Sequence, residues 1–263
     1  MQLTLPAAPP PATLVPSVHL LHGDCLDMMS AIKVGSVGMV FADLPYGVTR
    51  NNWDVCLPLQ ALWTSLWVCC APKAPIIMTA TNPFAADLIA SQRNKFRYDL
   101  VIQQTTPGGF LNAKRMPLRA HEMALVFYKK LPIYHPQRTP VAKAYSAKKS
   151  GPSDNYGQYK IITKVAGDLN RLPISVLQFT SQKRQSILHP TQKPVALLEW
   201  LIRTYTNEGD TVLDPVSGSA TTAIAALRTG RNVICIEKDP DYFEVGRKRV
   251  AEEQARLGFP VTV

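Results

Sequence analysis

Two short segments of this sequence combine acidic, aromatic and glycine residues in patterns that could carry out chemistry. The first is Asp43-Leu44-Pro45-Tyr46-Gly47, which directly follows a hydrophobic run. The second is the turn 214–222, Asp-Pro-Val-Ser-Gly-Ser-Ala-Thr-Thr, which also follows a hydrophobic run. Because α/β folds place their ligands at the carboxyl ends of strands, both segments are candidates for a functional site.

The turn 214–222 is suited to binding an adenosine. Gly218 allows the backbone to approach a ligand, and the start of the following helix presents unpaired N–H groups. Glu237 ends the next apolar run, where a carboxylate can accept hydrogen bonds from both hydroxyls of a ribose. The chain lacks the Gly-x-Gly-x-x-Gly and Gly-x-x-x-x-Gly-Lys phosphate-binding patterns, which disfavours NAD and ATP. S-adenosylmethionine (AdoMet) contains adenosine without a phosphate and requires neither pattern.

The segment 43–47 is suited to holding an exocyclic amino group. Such a group has two N–H bonds, which the Asp43 carboxylate and the Pro45 carbonyl can accept while the Tyr46 ring stacks on a flipped base. Accepting both hydrogens directs the nitrogen lone pair towards a methyl donor. Asp and Pro are also common in ordinary turns, so a purely structural turn is the alternative interpretation.

Seven apolar runs are predicted to form strands, with helices between them. The predicted strands are Val18–Leu21, Val37–Ala42, Pro75–Ala80, Tyr98–Gln103, Met123–Tyr128, Thr211–Leu213 and Val233–Ile236. Apolar residues at helical spacing predict helices over 57–71, 194–205 and 221–228. The stretch Thr105–Ala120 carries glycine and proline, which predicts a mobile loop that could act as a lid.

The composition limits the class of protein. The 263 residues are 46% hydrophobic, which suffices for the core of one sizeable α/β domain. The 29 Lys and Arg against 19 Asp and Glu give a formal charge of +10, which favours a polyanionic partner. Five cysteines without repeated spacing do not support a disulfide framework or a zinc site, so no metal is expected. No apolar run approaches the roughly 20 residues that cross a bilayer, so no membrane partner is expected.

Most of the excess positive charge lies between Leu131 and Ile187. This stretch has nine Lys or Arg against two Asp, a balance of +7, with aromatic residues interleaved. Lys and Arg bind phosphates and aromatic rings stack on bases, so the stretch is suited to nucleic acid. The expected DNA contacts come from Lys148, Lys149, Lys183 and Arg184, and from Arg115 in the stretch 105–120. The alternative is a solvated insertion that binds no ligand.

Together these motifs resemble those of the amino-methyltransferases that act on adenine N6 or cytosine N4 of DNA. Asp43–Tyr46 resembles their catalytic Asp-Pro-Pro-Tyr motif, and Asp214–Thr222 resembles their AdoMet motif Asp-Pro-Phe-x-Gly-Ser-Gly-Thr-Thr. His189–Pro194 is similar to the segment that contacts the methionine end of AdoMet. Gly23–Leu26 is similar to the family's Gly-Asp-Cys segment, whose acid binds the adenine of AdoMet. The order of the motifs, with the catalytic motif first, is that of the family's β group.

The resemblance implies an α/β fold, the Rossmann-like fold of AdoMet-dependent methyltransferases, with a mostly parallel seven-stranded sheet flanked by helices. Residues 1–17 would form a flexible tail, and 18–130 the catalytic half of the methyltransferase domain. A small inserted target-recognition lobe would occupy 131–187, and the AdoMet-binding half would follow over 188–263. The cytoplasm of a bacterial or phage-infected cell is the expected location, in agreement with the cysteine content.

The resemblance also implies a role for each residue of the site. The predicted catalytic residues are Asp43, Pro45 and Tyr46. The predicted AdoMet-binding residues are Asp24, Lys193, Asp214, Pro215, Gly218, Ser219, Thr221 and Glu237. The implied reaction is methylation of adenine N6 in DNA, with S-adenosyl-L-methionine as the methyl donor.

Three other activities stay open. Methylation of cytosine N4 uses the same fold, although those members usually have Ser at the position of Asp43. Methylation of RNA or of protein glutamine follows the same hydrogen-bond logic, but those relatives usually have Asn there. An inactive DNA-binding relative is the third alternative. A homodimer and a partner restriction endonuclease are open as protein partners.

Three residues depart from the family pattern without removing a named chemical group. Leu44 stands where the family usually has Pro, Val216 where it has Phe, and Ala220 where it has Gly. Val216 would lose aromatic packing against the adenine of AdoMet. Ala220 adds a methyl group at a helix start, which is tolerated if its backbone angles are helical.

Overall fold

Strands and helices alternate at both ends of the chain in the computed structural model, which describes residues 15–47, 56–140, 169–179 and 192–262. The strands are β1 (Val18–His22), β2 (Met39–Ala42), β3 (Ile76–Ala80), β4 (Phe96–Gly108), β5 (Arg119–Phe127), β6 (Thr139–Pro140), β7 (Asn170–Arg171), β8 (Val176–Phe179), β9 (Thr211–Asp214) and β10 (Asn232–Glu237). The α-helices are α1 (Cys25–Met28), α2 (Leu59–Cys69), α3 (Phe84–Ser91), α4 (Val195–Tyr205), α5 (Thr221–Arg228) and α6 (Pro240–Arg256). Within these ranges no helix has both the length and the apolar character needed to cross a membrane.

Eight of these strands form one sheet in the order β1-β10-β9-β2-β3-β5-β4-β8. Neighbouring strands are parallel except in the two pairs made by β5, which runs opposite to the others. The short strands β6 and β7 form a separate two-stranded sheet within the described part of the chain. The carboxyl ends of all strands of the large sheet except β5 therefore lie along one edge.

All seven predicted strands are present, although β4 extends further at both ends than the apolar pattern indicates. The eighth strand, β8, lies inside the stretch 131–187. It pairs in parallel with β4, so the predicted separate lobe contributes an edge strand to the main sheet. The apolar pattern does not reveal this edge strand, because only Leu177 of its four residues is buried.

The stretch Thr105–Ala120 is the end of a β-hairpin, so the prediction of a loop holds for 109–118 and is wrong for the strand residues on either side. Gly108 at the end of β4 pairs with Arg119 at the start of β5. Gly109 then turns the chain with a φ of 85°. The pairing is interrupted between Gln103 and Gly108. Such a bulge lets β-structure continue through glycine and proline residues that otherwise predict a loop.

Alternate side chains of β2 enter two hydrophobic cores on opposite faces of the sheet. Met39 and Phe41 belong to the core that contains residues of α4, α5 and α6. Val40 and Ala42 belong to the core that contains residues of α1, α2 and α3. A strand buried on both faces requires a continuous hydrophobic run, which explains why β2 is visible in the sequence.

The chain leaves two adjacent strands, β9 and β2, in opposite directions. From β9 it continues through α5 to β10 on one side, and from β2 it continues through α2 to β3 on the other. Connections that diverge in this way open a crevice at the carboxyl ends of the two strands. Because β9 ends at Asp214 and Asp43 follows β2, both candidate segments flank this crevice.

Glu253 on α6 forms ion pairs with Arg228 on α5 and with Arg256 on its own helix. The pair with Arg228 links the two helices. The Glu253 carboxylate accepts hydrogen bonds from Arg228 Nε at 2.7 Å and from Arg256 Nη2 at 2.5 Å. The side chain is 8% exposed, and its bonds to Arg256 and Arg228 lower its pKa to about 2. Ionised Glu253 therefore stabilises the folded state above its unfolded pKa, and this contribution is lost as the pH falls towards 2.

We expect Glu253→Gln to lower the free energy of unfolding by about 1–3 kcal/mol at neutral pH, because it removes a charged acceptor that two arginines share. The difference from wild type should shrink as the pH falls from 4.5 to about 2, where the native carboxylate also takes up a proton. Urea denaturation over this pH range measures the effect. A difference that did not vary with pH would contradict its ionic origin.

Candidate active site

A cavity of about 560 Å³ lies at the crevice between β9 and β2. Its wall includes residues from the segment 43–47, the turn 214–222 and the Gly-Asp-Cys segment. The predicted catalytic and AdoMet-binding residues that line it are Asp24, Asp43, Pro45, Lys193, Asp214, Pro215, Gly218, Ser219, Thr221 and Glu237. The fold therefore brings residues from both ends of the chain to one site.

The Asp214 carboxylate holds the glycine turn in place. Its Oδ2 accepts a hydrogen bond from Thr222 Oγ1 at 2.5 Å, and its Oδ1 accepts one from the Val216 N–H at 3.2 Å. Burial raises the pKa of Asp214 to about 7, although both hydrogen bonds act in the opposite direction. These contacts indicate that Asp214 shapes the wall of the cavity by fixing the turn 214–222.

Glu237, at the end of β10, presents a carboxylate to the cavity. Its Oε2 accepts a hydrogen bond from the Gly218 N–H at 2.6 Å, and its Oε1 accepts one from the Asp239 N–H at 2.8 Å. Gly218 has a φ of 51°, in the left-handed region that glycine adopts without steric cost. The Lys238 N–H is a third backbone donor to this carboxylate. A carboxylate has about four acceptor positions, so the donors of the described residues leave one open to a ligand such as a ribose hydroxyl.

Asp24 is fixed at the cavity wall by two donors. Its Oδ1 accepts a hydrogen bond from the Leu26 N–H at 2.9 Å, which caps α1. Its Oδ2 lies 3.0 Å from Lys238 Nζ. The bond to Leu26 and then the contact with Lys238 lower the pKa of Asp24. The site thus contains an ionised acceptor of the kind that can bind an adenine amino group.

The Asp43 carboxylate is held by three side chains. Its Oδ1 accepts hydrogen bonds from Thr79 Oγ1 at 2.5 Å and from Tyr46 Oη at 3.1 Å. Its Oδ2 accepts one from Lys193 Nζ at 2.8 Å. Among the described residues these donors fill three of about four acceptor positions, which leaves one on Oδ2. Asp43 therefore offers a ligand one acceptor position on a carboxylate that is already fixed.

Lys193 makes two ion pairs that the sequence motif does not predict. Its Nζ lies 2.8 Å from Asp43 Oδ2 and 3.1 Å from Glu122 Oε2, and its side chain is 12% exposed. Burial alone would lower the pKa of Lys193, but Asp43 and Glu122 raise it above its ordinary value. Lys193 also lines the cavity. The contact of Lys193 with the methionine end of AdoMet stays a prediction. The two ion pairs are an additional finding.

Glu122 is a site residue that sequence analysis missed, as is Thr79, which donates to Asp43. Glu122 lies on β5 and shares a face of the sheet with Ala124 and Val126, which are fully buried. Glu122 directly precedes the predicted strand Met123–Tyr128. Because every second residue of a strand shares a face, a strand longer by one residue would have placed this carboxylate on a buried surface. A buried acid requires a partner, which is the signal that could have identified it. The partner, Lys193, becomes evident only in the folded chain.

Tyr46 donates a hydrogen bond to Asp43 and packs its ring against Phe84, with ring centroids 5.1 Å apart. Burial and the nearby Asp43 raise the pKa of Tyr46 above its ordinary value. Its stacking on a base stays a prediction. Leu44, which replaces the family's usual Pro, is 3% exposed and packs in the hydrophobic core. The replacement therefore preserves apolar packing beneath the site.

Ala220 has a left-handed backbone conformation, with φ 57° and ψ 37°. The sequence predicts that alanine is tolerated here if its backbone angles are helical. The observed angles do not meet this condition. A Cβ in this region costs roughly 1–2 kcal/mol, which the family's usual Gly avoids. The Ala220 methyl group packs against α6, where a Cβ added to Gly246 would lie 3.1 Å from it. Gly246 thus provides the space that Ala220 occupies.

We expect Gly246→Ala to destabilise the protein by about 1–3 kcal/mol, because the added methyl group crowds Ala220. In an Ala220→Gly background the same substitution should be neutral or stabilising, since alanine favours a helix over glycine by about 1 kcal/mol. Urea denaturation of the four proteins gives the coupling energy between the two positions. Additive effects would show that the positions do not interact.

The predicted DNA contacts fall into two groups. Arg115 lies at the exposed end of the β4–β5 hairpin. The other four, Lys148, Lys149, Lys183 and Arg184, lie outside the described residues, as do 189–191 of the segment that precedes the glycine turn. The structure therefore locates only Arg115 among them.

Comparisons with known proteins identify the family of this chain. A family model described as DNA methylase matches residues 37–248. The chain is 28% identical over 248 residues to the Type II methyltransferase M2.MboI of Moraxella bovis, which covers 89% of this chain and 88% of that protein. It is 28% identical over 265 residues to the DNA adenine methyltransferase YhdJ of Escherichia coli (strain K12), which covers 90% and 86%.

Solved structures confirm the predicted fold. The M1.HpyAVI–SAM complex matches with a TM-score of 0.60 and 22% identity, over 89% of this chain and 98% of that one. The cytosine-N4-specific PvuII DNA methyltransferase matches with a TM-score of 0.64 and 15% identity, over 92% and 93%. Since the family model spans both candidate segments and most of the chain, this protein belongs to the DNA methylase family of N6 and N4 methyltransferases.

Proposed function

We propose that this protein transfers a methyl group from AdoMet to N6 of adenine in DNA. The observation that carries the proposal is that Asp43, with one open acceptor position, lines the same cavity as Glu237. An acceptor for an amino group and an acceptor for a ribose in one cavity support transfer between a nucleoside cofactor and a base. The name of YhdJ, a DNA adenine methyltransferase, supports the same conclusion.

The residues of the cavity fit AdoMet. Glu237 presents an acceptor position for a ribose hydroxyl, and Asp24 is an ionised acceptor for adenine. The Asp43 carboxylate adds negative charge to the same cavity, which suits a cationic ligand. M1.HpyAVI, which has a similar fold, forms a complex with SAM, another abbreviation for AdoMet. When bound, AdoMet supplies a methyl group on a positively charged sulfur.

In the proposed mechanism, Asp43 and Pro45 hold the target amino group. The open acceptor position on Asp43 Oδ2 takes one N–H, and the Pro45 carbonyl takes the other, which directs the nitrogen lone pair into the cavity. Thr79 and Lys193 hold the carboxylate before the base arrives, so the acceptor is preorganised. As the nitrogen gains its methyl group it becomes positively charged, and its extra proton then leaves to water. Tyr46 provides the stacking face for the flipped base.

The residue at position 43 favours adenine N6 over the other amino groups. In the resemblance described above, cytosine N4 enzymes usually have Ser at this position, and enzymes acting on RNA or glutamine have Asn. PvuII methyltransferase is cytosine-N4-specific and has a similar fold, so the fold alone does not separate the two bases. The choice of adenine therefore rests on Asp43 and on the relatives' names.

The end of the β4–β5 hairpin is suited to contact DNA beside the cavity. Because β4 runs parallel to β2, Gly108 lies on the same edge of the sheet as Asp43. Phe110 and Leu111 are 77% and 83% exposed at this end. Positive charges come from Lys114, Arg115 and Arg119, and no acid occurs between 104 and 120. Basic and exposed apolar side chains together suit phosphate contacts and insertion between bases.

We also propose that the stretch 131–187 recognises the target sequence, with Lys148, Lys149, Lys183 and Arg184 on DNA phosphates. Its charge of +7 supports this role. M2.MboI is named a Type II methyltransferase. If this chain has a similar role, it acts in the bacterial cytoplasm together with a restriction endonuclease that recognises the same DNA sequence.

We expect Asp43→Ala to lower the rate of methyl transfer by about two to three powers of ten, because it removes a preorganised acceptor. Binding of S-adenosylhomocysteine should change little. Tyr46→Ala should weaken base binding by roughly 1–3 kcal/mol through lost stacking. The assay follows tritiated methyl groups into mixed-sequence DNA and then into separated nucleosides. An active Asp43→Ala enzyme would refute the mechanism, whereas label on cytosine would refute only the choice of base.

A second prediction concerns the hairpin end. Replacing Lys114 and Arg115 with Gln should weaken DNA binding and flatten the plot of log affinity against log salt by about two units of slope, one for each lost phosphate contact. Phe110→Ser is the matched neutral control, which should weaken binding without changing the slope. Fluorescence anisotropy with a labelled duplex at several salt concentrations measures both. An unchanged slope in the Lys114 and Arg115 variant would place DNA on another surface.

A further inference from the structure

Three charged side chains, Asp43, Lys193 and Glu122, meet beside the cavity and are called here the Asp43 cluster. Lys193 Nζ lies 2.8 Å from Asp43 Oδ2 and 3.1 Å from Glu122 Oε2. The side chains are 16% exposed for Asp43, 12% for Lys193 and 9% for Glu122. Because two carboxylates share one ammonium group, the ionised cluster has one net negative charge.

We infer that Lys193 and Glu122 are positioning residues for methyl transfer, in which Lys193 fixes the Asp43 carboxylate and Glu122 keeps the cluster negative. The inference rests on the proposed function and adds a residue, Glu122, that lies outside the recognised motifs. Both residues act through Asp43 and through charge, without contact with the base. For Lys193 this role replaces the predicted contact with the methionine end of AdoMet.

Lys193 and Thr79 hold the two oxygens of Asp43. Thr79 donates to Oδ1, and Lys193 donates to Oδ2. A carboxylate held at both oxygens cannot rotate freely, so the open acceptor position on Asp43 Oδ2 points in a fixed direction. An ammonium group can only donate hydrogen bonds. The oxygen that faces Lys193 is therefore kept as an acceptor, which is the form that can bind a base N–H.

Glu122 determines the net charge of the cluster. Without its carboxylate, Asp43 and Lys193 would form a neutral pair. Positive charge is present on the sulfur of AdoMet and passes to the amino nitrogen as the methyl group moves. A negative cluster in a poorly solvated site can stabilise this charge before and after transfer. Glu122 therefore allows Lys193 to orient Asp43 without cancelling the negative charge of the site.

The cost of burying Glu122 argues against a purely structural role. Buried ion pairs seldom recover their full desolvation cost, and apolar side chains at such positions are often as stable. Burial raises the pKa of Glu122, and the nearby Lys193 opposes this effect. Among the described residues, the other titratable groups that act on the cluster are Tyr46, which is bonded to Asp43, and Asp214 at the end of β9.

The test compares two ligands that differ in charge at one atom. AdoMet has a cationic sulfur, whereas S-adenosylhomocysteine has a neutral one, so the ratio of their affinities reports the local electrostatic field without any methyl transfer. Calorimetry would measure this ratio for wild type, Glu122→Gln, Glu122→Asp and Lys193→Met. The matched control is Glu253→Gln, which removes a carboxylate that is also paired and little exposed but lies between α5 and α6.

We expect Glu122→Gln to reduce the preference for AdoMet by about tenfold while affinity for S-adenosylhomocysteine is retained. Glu122→Asp and Glu253→Gln should keep the wild-type preference. In Lys193→Met the carboxylates of Asp43 and Glu122 repel each other without a cation between them, so one of them takes up a proton at a higher pH. The pH below which methyl transfer fails in a single-turnover assay should therefore rise. Affinity for S-adenosylhomocysteine should again be retained.

An unchanged preference in a folded Glu122→Gln protein would overturn the role of Glu122. Equal losses of affinity for both ligands in Lys193→Met would make Lys193 a direct cofactor ligand and overturn its positioning role, as would an unchanged pH profile. If Glu122→Gln does not fold, a lost preference in Glu122→Asp would count against the charge argument and a retained one would support it. A wild-type protein that prefers AdoMet but does not methylate DNA would refute the proposed function, while the affinity ratio would still test the charge of the cluster.

Discussion

The site depends on the parallel pairing of β2 with β9, where two distant parts of the chain become neighbours. Met39 pairs with Val212, and Val40 pairs with Leu213. A shift of one residue would turn every side chain of β2 to the opposite face of the sheet, which both cores oppose. The same register places Asp43 and Asp214 on adjacent strand ends. Packing on the two faces and the opening of the crevice are therefore consequences of one alignment.

Much of the fold and of the cavity could be predicted from the sequence because their signals are local. The apolar run of β2 is continuous since both of its faces are buried, and the glycine turn and Glu237 occur at a spacing that one βαβ unit requires. The strand β8 and the extension of β4 carry no such signal. Only Leu177 of β8 is buried, and Thr105–Gly108 of β4 are exposed, so neither segment needs an apolar pattern to pair with its neighbour.

The electrostatic arrangement of the site could not be predicted for a related reason. The motif containing Lys193 is recognisable, but its two partners come from β5 and from the segment after β2. The backbone of Ala220 is a second case, since alanine by itself favours right-handed angles. Its left-handed conformation belongs to a turn that Asp214 and Glu237 hold and that Gly246 accommodates from another helix. These features are set by tertiary contacts.

The strand β8 has a consequence for exchanging specificity between related enzymes. It lies within the stretch proposed to read the target sequence, yet Val176–Phe179 pairs with Val101–Gln104 in the catalytic sheet. A chimaera with its second junction beyond Phe179 would require a foreign edge strand to pair with the host's β4. A junction placed before Val176 would leave the host sheet intact. Recombination of recognition segments should therefore be better tolerated on the amino-terminal side of this strand.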